Sequence, residues 1–274
     1  MIFRYIKSFV FLVGIFVLFA GCAYYKPSTP VDFASGFTFP EGPCFAPDGS
    51  LFLVNFRDTM VNRVSPDGQV STFVDNGFYN NGAIFDRTGN LYVASSGGKA
   101  VYKYDKSGNL LSSFYISGGD SILGPNDFAW SKNGDLYFSD PRGSSNERPI
   151  GGVHRIRPDG TVIPFAKGLS YPNGMAFSLD GKTLYVDETG GNRIVKYVVN
   201  PDGSAGEKSL LIQFPEQTGP DGMKMDVKGN LWVCCHYKAE IRGISPDGKI
   251  FQTIKMPTKF VTNFVFGGKD MKTA

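Results

Sequence analysis

The sequence predicts an all-β fold, a six-bladed β-propeller whose last blade is truncated at the C-terminus. Three observations carry that expectation. The first is composition: the 274 residues include 34 Gly, 17 Pro, 24 Phe and 13 Tyr, the mixture of turn formers and aromatics that short strands and tight turns use. The second is a repeated pair of hairpins. The segment APDGSLFLV at 46–54 returns as DRTGNLYVA at 86–94, SKNGDLYFS at 131–139, LDGKTLYVD at 179–187 and VKGNLWVC at 227–234. Its turn glycines, at 49, 89, 134, 181 and 229, are 40, 45, 47 and 48 residues apart. A second turn lies between them: SPDGQV at 65–70, DKSGNL at 105–110, RPDGTV at 157–162, NPDGSA at 200–205 and SPDGKI at 245–250. Asp-Gly and related pairs between alternating runs signal hairpins, because glycine accepts the positive φ of a tight turn. Two hairpins per repeat make four strands, the content of one propeller blade. The third observation is that no helical periodicity of comparable length competes.

Taken in order along the chain, residues 1–22 carry Arg4 and Lys7, an apolar run from Phe9 to Phe19, and Ala20-Gly21-Cys22. A charged start, a short apolar stretch and small residues describe a secretory signal, because crossing a bilayer takes about 20 apolar residues. Cys22 directly after the small pair looks like a bacterial lipobox, so it is expected to be the lipid-modified N-terminus of a protein anchored in the cell envelope. Ordinary periplasmic or secreted export, with Cys22 incidental, is the alternative. Residues 23–30 read as a tether, and residues 31–274 as the propeller domain. FASGFTFPEG at 33–42 resembles FAKGLSYPNG at 165–174, where an outer strand leads into the next blade. Residues 31–34 are therefore expected to be the outer strand of the last blade, closing the ring against the C-terminus. Five full units run from Glu41 to about Ile254, and a sixth begins with TNFVFGGKDMKT at 262–273; a five-bladed ring is the alternative.

One register of the repeat carries chemistry. Eight residues before the first-type turn glycines stand Glu41, Asn81, Asn126, Asn173 and Asp221, and the sixth unit offers Asn263. The first strand of each blade lines the central channel, so these six oxygen-bearing side chains are expected to converge at one end of the axis. Hard cations such as calcium take 6–8 oxygen ligands, Asn carbonyls and carboxylates among them. Glu41 and Asp221 together would neutralise one divalent ion. About four protein ligands leave room for water or substrate, as at a catalytic metal.

Other chemistries find less support. Hydrophobic residues make up 42% and charged residues 19%, which excludes a disordered tail. A net charge of +3 without a basic cluster gives no nucleic-acid surface. Two His and four Cys are too few for a conventional zinc site or a disulfide scaffold. Cys44, Cys234 and Cys235 read as buried thiols. No Ser-His-Asp arrangement is legible. His236, just after the blade-five strand, reads as a surface residue, with a proton shuttle reaching the channel mouth as the alternative.

The segments EGPCFAPDGSLFLVNF from Glu41, GPNDFAWSKNGDLYFSDPRG from Gly124, YPNGMAFSLDGKTLYVDET from Tyr171, GPDGMKMDVKGNLWV from Gly219 and the closing TNFVFGGKD resemble the SMP-30/gluconolactonase family over residues 33–273. The resemblance implies a calcium-dependent hydrolase of lactones or related esters acting on a small molecule. By motif, Glu41, Asn126, Asn173 and Asp221 would hold the cation, and Asp221 would also be the catalytic base or nucleophile. Asn81 and Asn263, with Asp140 and Arg142 of FSDPRG, would line the substrate pocket. Two alternatives remain open: a non-catalytic envelope module binding a ligand at a mouth formed by Phe56, Phe78, Tyr79 and Tyr237, and an inactive truncated family member.

Overall fold

All ten glycines of the two hairpin series take φ between 78° and 90°, which an L side chain rarely adopts. The turns they make set the strand boundaries in the computed structural model, which describes residues 5–6, 32–56 and 58–267. The chain is an all-β propeller. Among the described residues are five four-stranded antiparallel blades, each ordered from the axis outward as in the sequence. Their first strands are Pro40–Phe45, Gly82–Phe85, Phe128–Trp130, Pro172–Phe177 and Pro220–Met225. The second strands are Leu51–Asn55, Leu91–Ser95, Leu136–Asp140, Thr183–Glu188 and Leu231–Cys235. The third and fourth strands follow as meanders, ending in Val70–Asp75, Leu110–Phe114, Val162–Leu169, Ala205–Gln213 and Ile250–Lys255. A short hairpin, Ile116–Ser117 with Asp120–Ser121, interrupts the path from blade two to blade three.

The core lies between blades. Alternate residues of a strand face opposite sides, and each second strand is covered on both. Phe52 and Val54 of blade one pack with Leu91 and Val93 of blade two, whereas Leu51 and Leu53 turn the other way, to Trp232 and Cys234 of blade five. The same alternation sends Tyr137 toward Leu184 and Val186, and Leu136 and Phe138 toward Tyr92 and Ala94. This two-sided burial is why the second strands read LFLV, LYVA and LWVC with no polar alternation.

The two ends of the ring meet in one cluster, in which Ala34, Val261 and Phe264 join residues of blades one and five. Thr262 Oγ1 donates to the Pro40 carbonyl at 2.9 Å, and Gly222 N donates to the Thr262 carbonyl at 2.7 Å. The segment around Thr262 thus lies between the first strands of blades five and one. Strand Asp32–Ala34 takes an outer place. A Cβ on Gly68 would press on the Phe33 carbonyl, just as one on Gly108 would press on that of Phe73 and one on Gly248 on that of Leu211, both in the fourth strand of a preceding blade. Tyr5–Ile6 pairs with Asp32–Ala34 in parallel. Middle strands of a sixth blade are not found among the described residues. The rest of the segment expected to be a signal, Cys22, the expected tether at 23–30 and the end of the closing motif beyond Gly267 lie outside them.

Cys44, Cys234 and Cys235 are buried free thiols.

Candidate functional site at the propeller axis

The first strands approach the axis so closely that the residue after four of the oxygen donors has little room. A Cβ on Gly42 would strike the backbone of Gly82 and Ala83, and one on Gly82 the carbonyl of Asn126. One on Gly174 would strike the carbonyl of Asp221, and one on Gly222 the side chain of Asn263. Glycine in the Glu-Gly, Asn-Gly and Asp-Gly pairs is therefore a packing requirement of the hub. The ladder also slips there. Register shifts fall between Glu41 and Cys44, between Pro172 and Met175, and between Pro220 and Met223. Such bulges bend a strand and re-aim its side chains, and Asn173 and Asp221 lie within two of them.

All six residues of the common register are buried. Asp221 is the best-connected. Its Oδ1 accepts from Asn173 Nδ2 at 2.7 Å, and its Oδ2 lies 3.5 Å from His236 Nδ1. Glu41 accepts from Gly42 N at 3.2 Å, with the Asn263 side chain beside it. Asn263 in turn accepts from Lys224 Nζ at 3.3 Å. Asn81 and Asn126 are anchored through their backbones, Asn81 N to the Ala94 carbonyl at 2.8 Å and Asn126 N to the Ser139 carbonyl at 2.9 Å.

Two further carboxylates stand at the hub. Asp127 occupies the place where most other repeats carry glycine, 3.7 Å from Lys224 Nζ. Asp187, fully buried on the second strand of blade four, accepts from Thr189 Oγ1 at 3.2 Å. The Oδ2 atoms of Asp127 and Asp187 are buried without a hydrogen-bond partner. Burial, and then the charges of Asp221 and Asp127, push Glu41 well above the usual carboxylate range. Asp187 rises for the same reasons. Burial raises Asp221 too, against the opposing pull of His236. Several desolvated carboxylates so near one another cannot all ionise without a compensating cation.

This excess of buried negative groups fits a bound metal ion. The donors are hard oxygens, and the hub holds more negative groups than Lys224 and His236 can balance. Among the described residues no three His, Cys, Asp or Glu side chains form a metal cage by themselves. The carboxamides of Asn126 and Asn173 would have to complete the set.

Asp140 and Arg142 stand one loop away. Both Asp140 oxygens accept backbone amides, Leu123 N at 2.8 Å and Gly124 N at 2.7 Å, so the carboxylate braces the segment leading into Asn126. Arg142 is exposed and donates to the Ser96 carbonyl. His236, expected on the surface, is instead half-buried beside Asp221. The structure also assembles a Ser–His–Asp group that the sequence hid. His154 Nδ1 is 2.7 Å from Ser117 Oγ, and its Nε2 is 3.7 Å from Asp140 Oδ2. Ser117 is fully buried and Asp140 is committed to amides, so this group fastens the short hairpin to blade three. Of the proposed mouth aromatics, Tyr237 packs on His236 and Phe56 on Phe39, while Phe78 stacks on Tyr102 and Tyr79 is exposed.

Comparison with known proteins agrees with this fold. The gluconolactonase of Zymomonas mobilis is 31% identical over 280 residues, covering 88% of this chain and 77% of that protein. The structure of a gluconolactonase from Xanthomonas campestris superposes with a TM-score of 0.74 at 27% identity, over 84% of this chain and 80% of that one. A calcium-binding regucalcin from Agrobacterium tumefaciens, 20% identical, shares the fold with a TM-score of 0.71 over 86% of this chain and 80% of that one. Residues 39–274 match the model of the SMP-30/Gluconolactonase/LRE-like region, and the chain accordingly belongs to that family.

Proposed function

We propose that this chain is a divalent-cation-dependent hydrolase that opens lactones, with a sugar lactone of the gluconolactone type as the first substrate to test. The observation that carries the reading is the hub itself, where Glu41, Asn173 and Asp221 meet in a buried, carboxylate-rich site inside a family whose relatives include gluconolactonases. Glu41, Asn126, Asn173 and Asp221 would hold the ion, for which calcium is the favoured choice at an all-oxygen donor set. When bound, the ion would polarise the ester carbonyl as a Lewis acid. Asp221 takes a proton from water as its oxygen attacks the carbonyl carbon. The acyl–oxygen bond of the ring then breaks, and the proton passes to the departing oxygen to give the open hydroxy acid. Asn81 and Asn263 offer amides to the ring substituents. We also take the ring to be sixfold, with residues 31–34 and the segment from Thr262 as outer and inner strands of one further blade. The contacts of Phe33 and Thr262 support this. An experimental structure with no inner segment between blades five and one would overturn it.

Acid release from glucono-δ-lactone, corrected for spontaneous opening, tests the activity. Turnover should disappear with EDTA and return with calcium. Asp221→Asn should lower kcat by about 10²–10⁴-fold, the usual weight of a general base. Turnover indifferent to both the chelator and the substitution would overturn the proposal.

A further inference from the structure

His236 lies outside the common register of oxygen donors, and its surroundings hold it in one orientation. It opens the 3₁₀ turn His236–Lys238 directly after the second strand of blade five. Its own N–H donates to the Gly219 carbonyl at 2.9 Å, and its carbonyl accepts from Phe260 N at 3.1 Å. The ring is boxed by Phe260 at 4.9 Å, Tyr237 at 5.0 Å and Phe39 at 6.0 Å between centroids. Phe260 is held there at φ 61°, a conformation that a bulky aromatic rarely adopts and that collects at functional sites. Gly219 is also left-handed, at φ 60°, and a Cβ on it would run into the Tyr237 ring. An apolar box of this kind would suit a phenylalanine. It holds instead an imidazole whose buried Nδ1 has no hydrogen-bond partner and lies 3.5 Å from Asp221 Oδ2.

We infer that His236 is a positioning residue for Asp221: the imidazole carries a proton on Nδ1 and offers it to Asp221 Oδ2, while Asn173 Nδ2 holds Oδ1. Gripped from both sides, the carboxylate keeps its remaining lone pairs turned to the axis. The gap of 3.5 Å is longer than a formed hydrogen bond. Bonds of this kind are often long before the site is loaded and tighten when it fills. A donor behind a metal-ligating or catalytic carboxylate fixes its orientation, and losing such a partner typically costs about 10–100-fold in metal affinity or activity.

The inference rests on the proposed role of Asp221, and two substitutions separate it from simple packing. His236→Phe keeps a ring in the aromatic box and removes the N–H. His236→Asn loses the ring but places an amide donor near the Nδ1 position. A positioning role predicts that His236→Phe lowers kcat for lactone opening about 10–100-fold with KM within about threefold, and that His236→Asn recovers most of the loss. Calcium titration by calorimetry supplies a readout without turnover, with affinity weakened by His236→Phe and largely restored by His236→Asn. A purely structural role predicts the opposite order, with phenylalanine near wild type and asparagine impaired, and that order overturns the inference. If the wild-type protein opens no lactone, the proposed substrate fails, and the calcium titration alone decides the role of His236. Equal calcium affinity across all three proteins would then refute it.

Discussion

At the scale of single residues, burial sets the chemistry at the hub and away from it. His154 shows the second case. Its ring stacks on Phe138 with centroids 5.2 Å apart and is bonded to Ser117. Burial, with the nearby charge of Lys167, depresses its pKa from 6.5 to about 4, although Asp120 pulls the other way. The folded protein therefore binds fewer protons than the unfolded chain between those values. The stability this lends is complete above the unfolded pKa and is lost as pH falls through the window. The expected cost is about 2 kcal/mol between pH 7.5 and 5. Urea unfolding at the two pH values should show it, and His154→Gln should flatten the difference relative to wild type. An unchanged slope would mean that carboxylates, not this imidazole, govern acid sensitivity. The His154 contact was not legible from the chain, and of His236 the sequence offered only the alternative that it could reach the channel mouth. Ser117 and His154 are 37 positions apart on elements with no shared pattern, and His236 sits in a turn outside the repeat.

Elements explain which parts of the site were legible. Glu41, Asn81, Asn126, Asn173 and Asp221 were found because each precedes a turn glycine by the same count, and a repeated fold brings equal indices to equal depth. Asp187 escaped because it sits on a second strand, where LYVD reads as ordinary core. Asp127 escaped because it stands in the glycine slot that defines the pattern. The bulges were not visible either, since a ladder slip leaves the residue types unchanged. The tightness of the first strands can be tested at Gly174, whose φ is ordinary, so that only space is at issue. Gly174→Ala pushes a methyl toward the Asp221 carbonyl and the Asp187 carboxylate. It should cost about 1–3 kcal/mol by overpacking and weaken calcium binding at the same time. Denaturant midpoints and calorimetry on the same preparation check both. A stability loss with calcium affinity untouched would uncouple the strand contact from the hub.

For the whole molecule, stability depends on neighbouring blades covering each other, so closure matters more than any one sheet. Phe264, almost wholly buried among residues of blades one and five, is the central side chain of the closing cluster. Phe264→Ala should destabilise by about 3–5 kcal/mol, as large-to-small changes in a core do. Limited proteolysis should then find its first cuts near the two chain ends. First cuts in the middle blades would show that the ring does not open there. The repeat made the fold class and the place of closure readable. The number of strands that complete the ring was harder, because a repeat count reports units along the chain and not what each unit packs against.

The hydrogen bond from Thr262 to Pro40 spans 222 positions. During synthesis the ribosome must have made every residue from Pro40 to Thr262 before these partners exist together. Until then the first blade has one face with no cover, so the nascent chain is at its stickiest just before the segment around Thr262 emerges.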